Sequence, residues 1–357
     1  MDGGEKIASV REIQNSRPFS AKRFFLQWEW LLVVILAVIN IVNAGLSPNY
    51  LVFDNIMNAV QMFLDKAIMV FPMMMVIVLG QIDISIASTM ALSSVLMGVS
   101  YKAGVPMPAA LLISIVTGAL CGLMNGFILA KFSELASMIV TLSTMILYRG
   151  VASIILEDRA VSGFPSWFSA LGWGSVFSAP IILIFFAAEA AVFAYVIHFT
   201  KFGRCLYAIG LNEEASRYSG IKTKRVKMTA FTVMGIFAAI SGIFLASKMG
   251  SVRPSMAKGY EMDVIAMVVL GGVSTSGGRG RVPGVLLSIF VIGLLRYGLG
   301  IVNVRAQVIL IIIGTLLIVA VAIPNLKASL NKGPEKKLAA ESKGGDDVSR
   351  LPRGTRL

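Results

Sequence analysis

Asp83 lies in the stretch GQIDISIAS, Gly80 to Ser88, and is the only charged side chain between Ala67 and Met97. The surrounding residues are apolar enough to sit in lipid, where a carboxylate costs roughly a few kcal/mol even on lenient insertion scales. Two chemistries fit it. Gly80 and the small residues Ser85, Ala87 and Ser88 let the backbone break or approach a neighbour closely. Asp83 at such a break accepts hydrogen bonds from the free amides of a helix starting near Ile84, an end that favours an anion. Alternatively Gln81, Asp83 and Ser85 line a polar path and contact a hydroxylated solute. The two roles are compatible.

Four further stretches carry polar chemistry. GALCGLMNG places Gly118, Gly122 and Gly126 four residues apart, a stripe suited to close helix packing, with Asn125 as an interhelical donor or a path residue. Glu189 is an intramembrane carboxylate near the lone His198, which together would form only a thin proton relay. The longest basic loop, KFGRCLYAIGLNEEASRYSGIKTKRVK, holds a short helical core from Asn212 to Tyr218. Asn212 is its N-cap, Glu213 and Glu214 fill its first turn, and Gly220 stops it. Such a helix is either a docking element or part of a solvated loop. GGVSTSGGRGRVPG looks superficially like a phosphate cradle but lacks the Gly-Lys-Ser/Thr of a P-loop. Its Gly271, Gly272, Ser274, Gly277 and Gly278 suit a close-packed re-entrant element instead.

The elements that position these residues are membrane helices. Of 357 residues, 56% are hydrophobic and 14% charged, and the mean hydropathy is +0.80. A soluble domain carries about a quarter charged residues, and a spanning helix needs ~20 apolar ones. Apolar runs lie near Leu31–Leu46, Ile56–Leu79, Ile84–Tyr101, Pro108–Ala130, Leu135–Leu156, Pro180–Phe199, Val226–Ala246, Val264–Val273, Val285–Leu299 and Val304–Ile323. The eighth is too short to cross alone, so the count is nine or ten. The fold class is therefore an all-α, multi-pass membrane protein with broken or re-entrant elements.

The net charge of +13 follows from topology rather than from nucleic-acid binding. With both termini cytoplasmic and ten crossings, 23 of the 32 Lys and Arg face the cytoplasm. Three regions follow: a cytoplasmic N-terminal segment (1–27), a transmembrane domain (28–324) with a basic loop at 200–227, and a polar, disordered tail (325–357). The first run reads as a retained anchor. Cys121 and Cys205 have no metal spacing and are packing residues; no catalytic or metal-binding set is evident. The Gly- and Ser-interrupted elements in the two halves hint at an internal repeat, the sequence pointer to a transporter's pathway. A proton-coupled transporter remains a second reading, and an intramembrane enzyme lacks a nucleophile–base pair.

In order, these stretches resemble the permease subunits of bacterial ABC importers for monosaccharides and autoinducer-2. GQIDISIAS is similar to the family's GGIDLSVGS, and Asn125-Gly126 with TLSTMILYRG to its Asn-Gly and TLxTM…RG. GRCLYAIGLNEEASRYSGI is similar to GRxxYAIGxNxxAAxxSGI, and LGGVSTSGGRG to LGGxSxxGGxG. The likeness runs from about Leu51 to Ile323. It implies alternating access, a second permease copy or a homologous permease beside this one, and an external sugar-binding protein. It also implies separate ATP-binding cassette subunits that hold Mg-ATP, with no cofactor in this chain. Asn212, Glu213, Glu214, Ala215, Ser216 and Gly220 fall on the coupling helix that docks those subunits, with Glu214, Ala215 and Gly220 on its EAA…G pattern. Gln81 and Ala87 replace family glycines, and Ser216 stands where a second Ala is common.

Overall fold

The computed structural model describes residues 28–157, 159–305, 307–315 and 318. The segments read as N-terminal (1–27) and tail (325–357) lie outside the described residues, as does much of the tenth apolar run. The chain opens with α1 (Trp28–Leu46), α2 (Phe53–Ala67), α3 (Val70–Val78), α4 (Ile86–Lys102), α5 (Met107–Lys131) and α6 (Ser137–Leu156). A short excursion follows: β1 (Val161–Ser162), α7 (Ser166–Trp173), β2 (Ser175–Val176) and β3 (Ala179–Pro180). Then come α8 (Ile181–Phe199), α9 (Lys201–Leu211), α10 (Glu213–Tyr218), α11 (Thr223–Met249), β4 (Ser251–Val252), α12 (Tyr260–Leu270) and α13 (Val282–Ile301).

Six of these, α1, α5, α6, α8, α11 and α13, are long and apolar enough to cross a membrane. The pair α2 and α3 makes a seventh, bent by 41°. Sequence periodicity reads Ile56–Leu79 as one run; the bend has a cause in Pro72. Proline has no amide to donate to Ile68 O, four residues earlier, and its ring crowds that carbonyl. The ladder breaks there, and Met69 N turns instead to Lys66 O at 3.1 Å.

The nine residues of α3 are all buried, as expected for a helix apolar on every side. Helices α11 and α12 pack beside it. The outer helices keep apolar faces outward: Ile41 of α1 is 72% exposed and Ile154 of α6 is 79% exposed. In a soluble chain such faces would be a liability; here they meet lipid or a partner. Helix α5 lies along α11 through the predicted stripe of small residues. A Cβ on Gly122 would stand 2.1 Å from Phe231 O, and one on Gly118 2.3 Å from Gly235 O. The backbones touch because nothing larger than hydrogen lies between them. Two small antiparallel pairs close one end, Val161 opposite Val252 and Ser175 opposite Pro180.

Candidate functional site

The two interrupted elements are built alike. Helix α3 ends at Gly80, whose amide donates to Ile77 O while Gln81 N donates to Val76 O. Helix α12 ends at Gly272, whose amide donates to Val269 O while Val273 N donates to Val268 O. Both are Schellman stops, which need a left-handed residue; Gly80 has φ 76° and Gly272 φ 86°. Each short helix is thus halted and followed by a loop, residues 79–85 in one half and 271–281 in the other, and then by a new helix. The hint of a repeat has a concrete counterpart in this matched geometry.

The loop 79–85 carries a buried polar chain. Helix α4 begins two residues later than the sequence suggests, at Ile86, with Ser85 in the cap position making no side-chain cap bond. Asp83 acts one step earlier. Its Oδ1 accepts from Ser85 N at 2.9 Å and from Ser85 Oγ at 2.6 Å. Asn125 Nδ2 of α5 donates to Ser85 Oγ at 2.8 Å, and Tyr148 OH of α6 lies 3.1 Å from Asn125 Oδ1 and 2.9 Å from Cys121 O. The chain ends on Asp83, which is 2% exposed and takes both bonds from Ser85. Hydrogen bonds of this kind offset the cost of burying a carboxyl group. Backbone bonds fix the rest of the loop: Ile82 N donates to Ser137 Oγ and Thr141 Oγ1 donates to Ile82 O. Gln81 is half-buried outside the chain that joins Asp83, Ser85 and Asn125.

The loop 271–281 meets the first at its base. Gly278 N donates to Val78 O at 2.8 Å, and Ser274 N to Arg279 O at 3.0 Å. The third party is the end of α9. A Cβ on Gly210 would lie 1.9 Å from Val78 O and 2.5 Å from Gly278 N, and one on Gly277 2.8 Å from both Gly210 O and Gly80 N. Tyr207 OH donates to Gly280 O at 2.8 Å. Burial lifts this hydroxyl above the ordinary tyrosine value, against the Arg281 charge, so it remains a neutral donor. Both interrupted elements and the basic loop thus share one backbone junction.

Helix α10 follows α9 directly. Asn212 Oδ1 accepts from Ala215 N at 2.9 Å, the capping bond expected from its type and place. Gly220 N donates to Arg217 O and Ile221 N to Ser216 O, so this helix also ends in a Schellman stop. Ser216 is buried against the body, where a small side chain is needed. Glu213 binds Lys227 Nζ of α11 at 2.7 Å. Glu214, Ala215 and Arg217 face outward, and Tyr218 is 83% exposed.

Glu189 and His198 are not brought together. His198 is exposed at the end of α8, about 13 Å of helix rise from Glu189. Glu189 is buried between Phe186 and Phe193, whose rings stack on Phe71, and neither of its oxygens has a hydrogen-bond partner among the described residues.

A second polar cluster escaped the sequence reading. Toward the far end of α11, Lys66 Nζ meets Asp263 Oδ2 at 3.0 Å, and Arg296 also binds Asp263. Lys248 Nζ reaches Asp65 Oδ1 at 3.2 Å, and Tyr260 OH donates to Asp65 Oδ2 at 2.9 Å. The ammonium of Lys66 also stands 4.4 Å from the Tyr260 ring centre. The signal was present: Asp65, Lys66 and Arg296 each interrupt an apolar run.

The comparisons agree with this architecture. A family model described as branched-chain amino acid transport system / permease component matches residues 55–321. The ribose import permease protein RbsC of Bacillus subtilis (strain 168) is 33% identical over 302 residues, 84% of this chain and 91% of that protein. RbsC of Escherichia coli (strain K12) is 33% identical over 321 residues, 86% and 98% of the two chains. The autoinducer 2 import system permease protein LsrD of Escherichia coli O9:H4 (strain HS) is 32% identical over 301 residues, 82% and 91%. No solved structure matches. The resemblance to importer permeases is borne out, and the chain belongs to the branched-chain amino acid transport system / permease component family, as a multi-pass protein of the bacterial inner membrane.

Proposed function

We propose that this chain is the permease subunit of an ATP-driven importer for a monosaccharide or sugar-like solute. Both termini face the cytoplasm, and α4, α12 and the last apolar run bring the crossings to ten. Two permeases, alike or homologous, enclose the path; cassette subunits bind Mg-ATP below, and a sugar-binding protein delivers the solute from outside. Helix α10 docks into a cassette subunit through Glu214, Ala215, Arg217 and Tyr218.

The observation that supports this most is the junction of Val78, Gly210 and Gly278. A displacement of α10 reaches both interrupted elements through backbone contact, with no flexible side chain between. A packed interface of this kind moves as a unit rather than yielding, which suits a switch between inward- and outward-open states. Asp83, Ser85 and Asn125 hold the first element in shape, and Gln81 faces the path.

The unpartnered Glu189 favours one other reading, a proton-coupled transporter. Gentle purification followed by identification of bound subunits separates the two. A stoichiometric ATP-binding subunit, with hydrolysis stimulated by an external binding protein, is the expected result. Uptake that collapses with a protonophore while ATP is held constant would establish the alternative.

A further inference from the structure

The cluster at the far end of α11 is not electrically balanced. Lys66, Lys248 and Arg296 face two carboxylates, Asp65 and Asp263, among the described residues. Glu261 stands near Arg149 and adding that pair leaves the balance unchanged. An excess positive charge in a buried, membrane-level setting is costly, and a counter-anion relieves it.

Two of these cations, Lys66 and Arg296, line a cavity of about 460 Å³ between α2 and α13, walled also by Met62, Phe63, Gly293 and Tyr297. On α13, Gly293, Arg296, Tyr297 and Gly300 share one face; Gly293 seats the Phe63 ring, and Gly300, with open space at its Cβ position, leaves the hollow. Asp263 is shared by Lys66 and Arg296, so neither cation is fully neutralised. Arg296 is the freer of the two: its side chain is 25% exposed, and its buried Nε has no partner among the described residues. Of its lining residues Met62, 55% exposed, and Gly300 are open to the surface.

We infer that this cavity binds one oxyanion group, a phosphate or phosphodiester, through Arg296 with Lys66 as the second charge. A guanidinium with spare donors suits oxyanion geometry, and the apolar walls suit the chain attached to a lipid headgroup. The shared chemistry has two sources, a membrane phospholipid or a free oxyanion.

The test is thermal unfolding of the purified full-length protein in micelles, with added phosphatidylglycerol, phosphatidylcholine or inorganic phosphate. Wild type is expected to gain a higher midpoint with phosphatidylglycerol than with phosphatidylcholine. A shift with inorganic phosphate as well assigns the site to free oxyanions; its absence assigns it to lipid. Arg296→Gln and Lys66→Met each leave one cation paired with Asp263, so at least one should fold. Either should weaken anion binding about tenfold, the worth of a charge-assisted hydrogen bond. Shifts of equal size in wild type and both variants, or no shift with either anion in wild type, would overturn the assignment.

Discussion

Gly210 of α9 and Gly277 of the second interrupted element are packed backbone to backbone, so that a Cβ on Gly277 would lie 2.8 Å from Gly210 O. With Val78 O bonded to Gly278 N, this is where the loop that carries α10 meets both halves of the permease. The contact has no side chain to rearrange, which is what the proposed coupling requires of it.

Gly210→Val tests that junction. Its Cβ would stand 1.9 Å from Val78 O, a backbone atom that cannot step aside. Overpacking of this kind costs about 1–3 kcal/mol. The expected outcome is a protein still inserted in the membrane, with bound cassette subunits whose ATP hydrolysis no longer responds to the external binding protein. Hydrolysis stimulated as in wild type would show that the junction does not carry the coupling.

Asp83→Asn separates architecture from solute contact. Asn keeps an oxygen for Ser85 N, as it does at helix caps. Transport is expected to persist, since Asp83 is turned inward to Ser85 rather than to a path. Loss of transport with normal expression would make it a pathway residue. Tyr148→Phe is the companion variant. It leaves Asn125 Oδ1 without that donor and should lower stability by about 1 kcal/mol, read as a small fall in unfolding midpoint.

Asp263→Asn should be far more damaging than either. It removes the carboxylate between Lys66 and Arg296 and leaves a buried and a half-buried cation facing each other. Breaking a buried pair in this way costs about 3–5 kcal/mol. Poor expression or a steeply lowered midpoint is the expected readout, and a midpoint equal to wild type would show the cluster to be solvated.

The helices were legible because apolar length is set by the bilayer and needs no knowledge of neighbours. The cap at Asn212 and the stop at Gly220 were legible for the same local reason, since capping uses residues within one turn. The stripe at Gly118, Gly122 and Gly126 announced close packing, though not that α11 was the partner. The bend at Ile68 was missed because the run Ile56–Leu79 is mainly apolar on both sides of it, while its cause, Pro72, lies four residues on. The ion cluster was missed because Asp65, Asp263 and Arg296 are brought together only by tertiary packing. Lys66 and its partner Asp263 are 197 positions apart in sequence, so no local pattern links them.

The most direct test of the central claim is a photo-cross-linking residue placed at position 214, exposed on α10, in the complex purified from native membranes. The expected product joins this chain to a stoichiometric ATP-binding subunit, with a yield that changes when nucleotide is bound. Glu214→Arg, which inverts charge on the same exposed face, should then abolish ATP-driven uptake without unfolding the protein. An ATP-binding subunit that co-purifies yet never cross-links to position 214, together with undiminished uptake in Glu214→Arg, would contradict the docking of α10 and the coupling built on it.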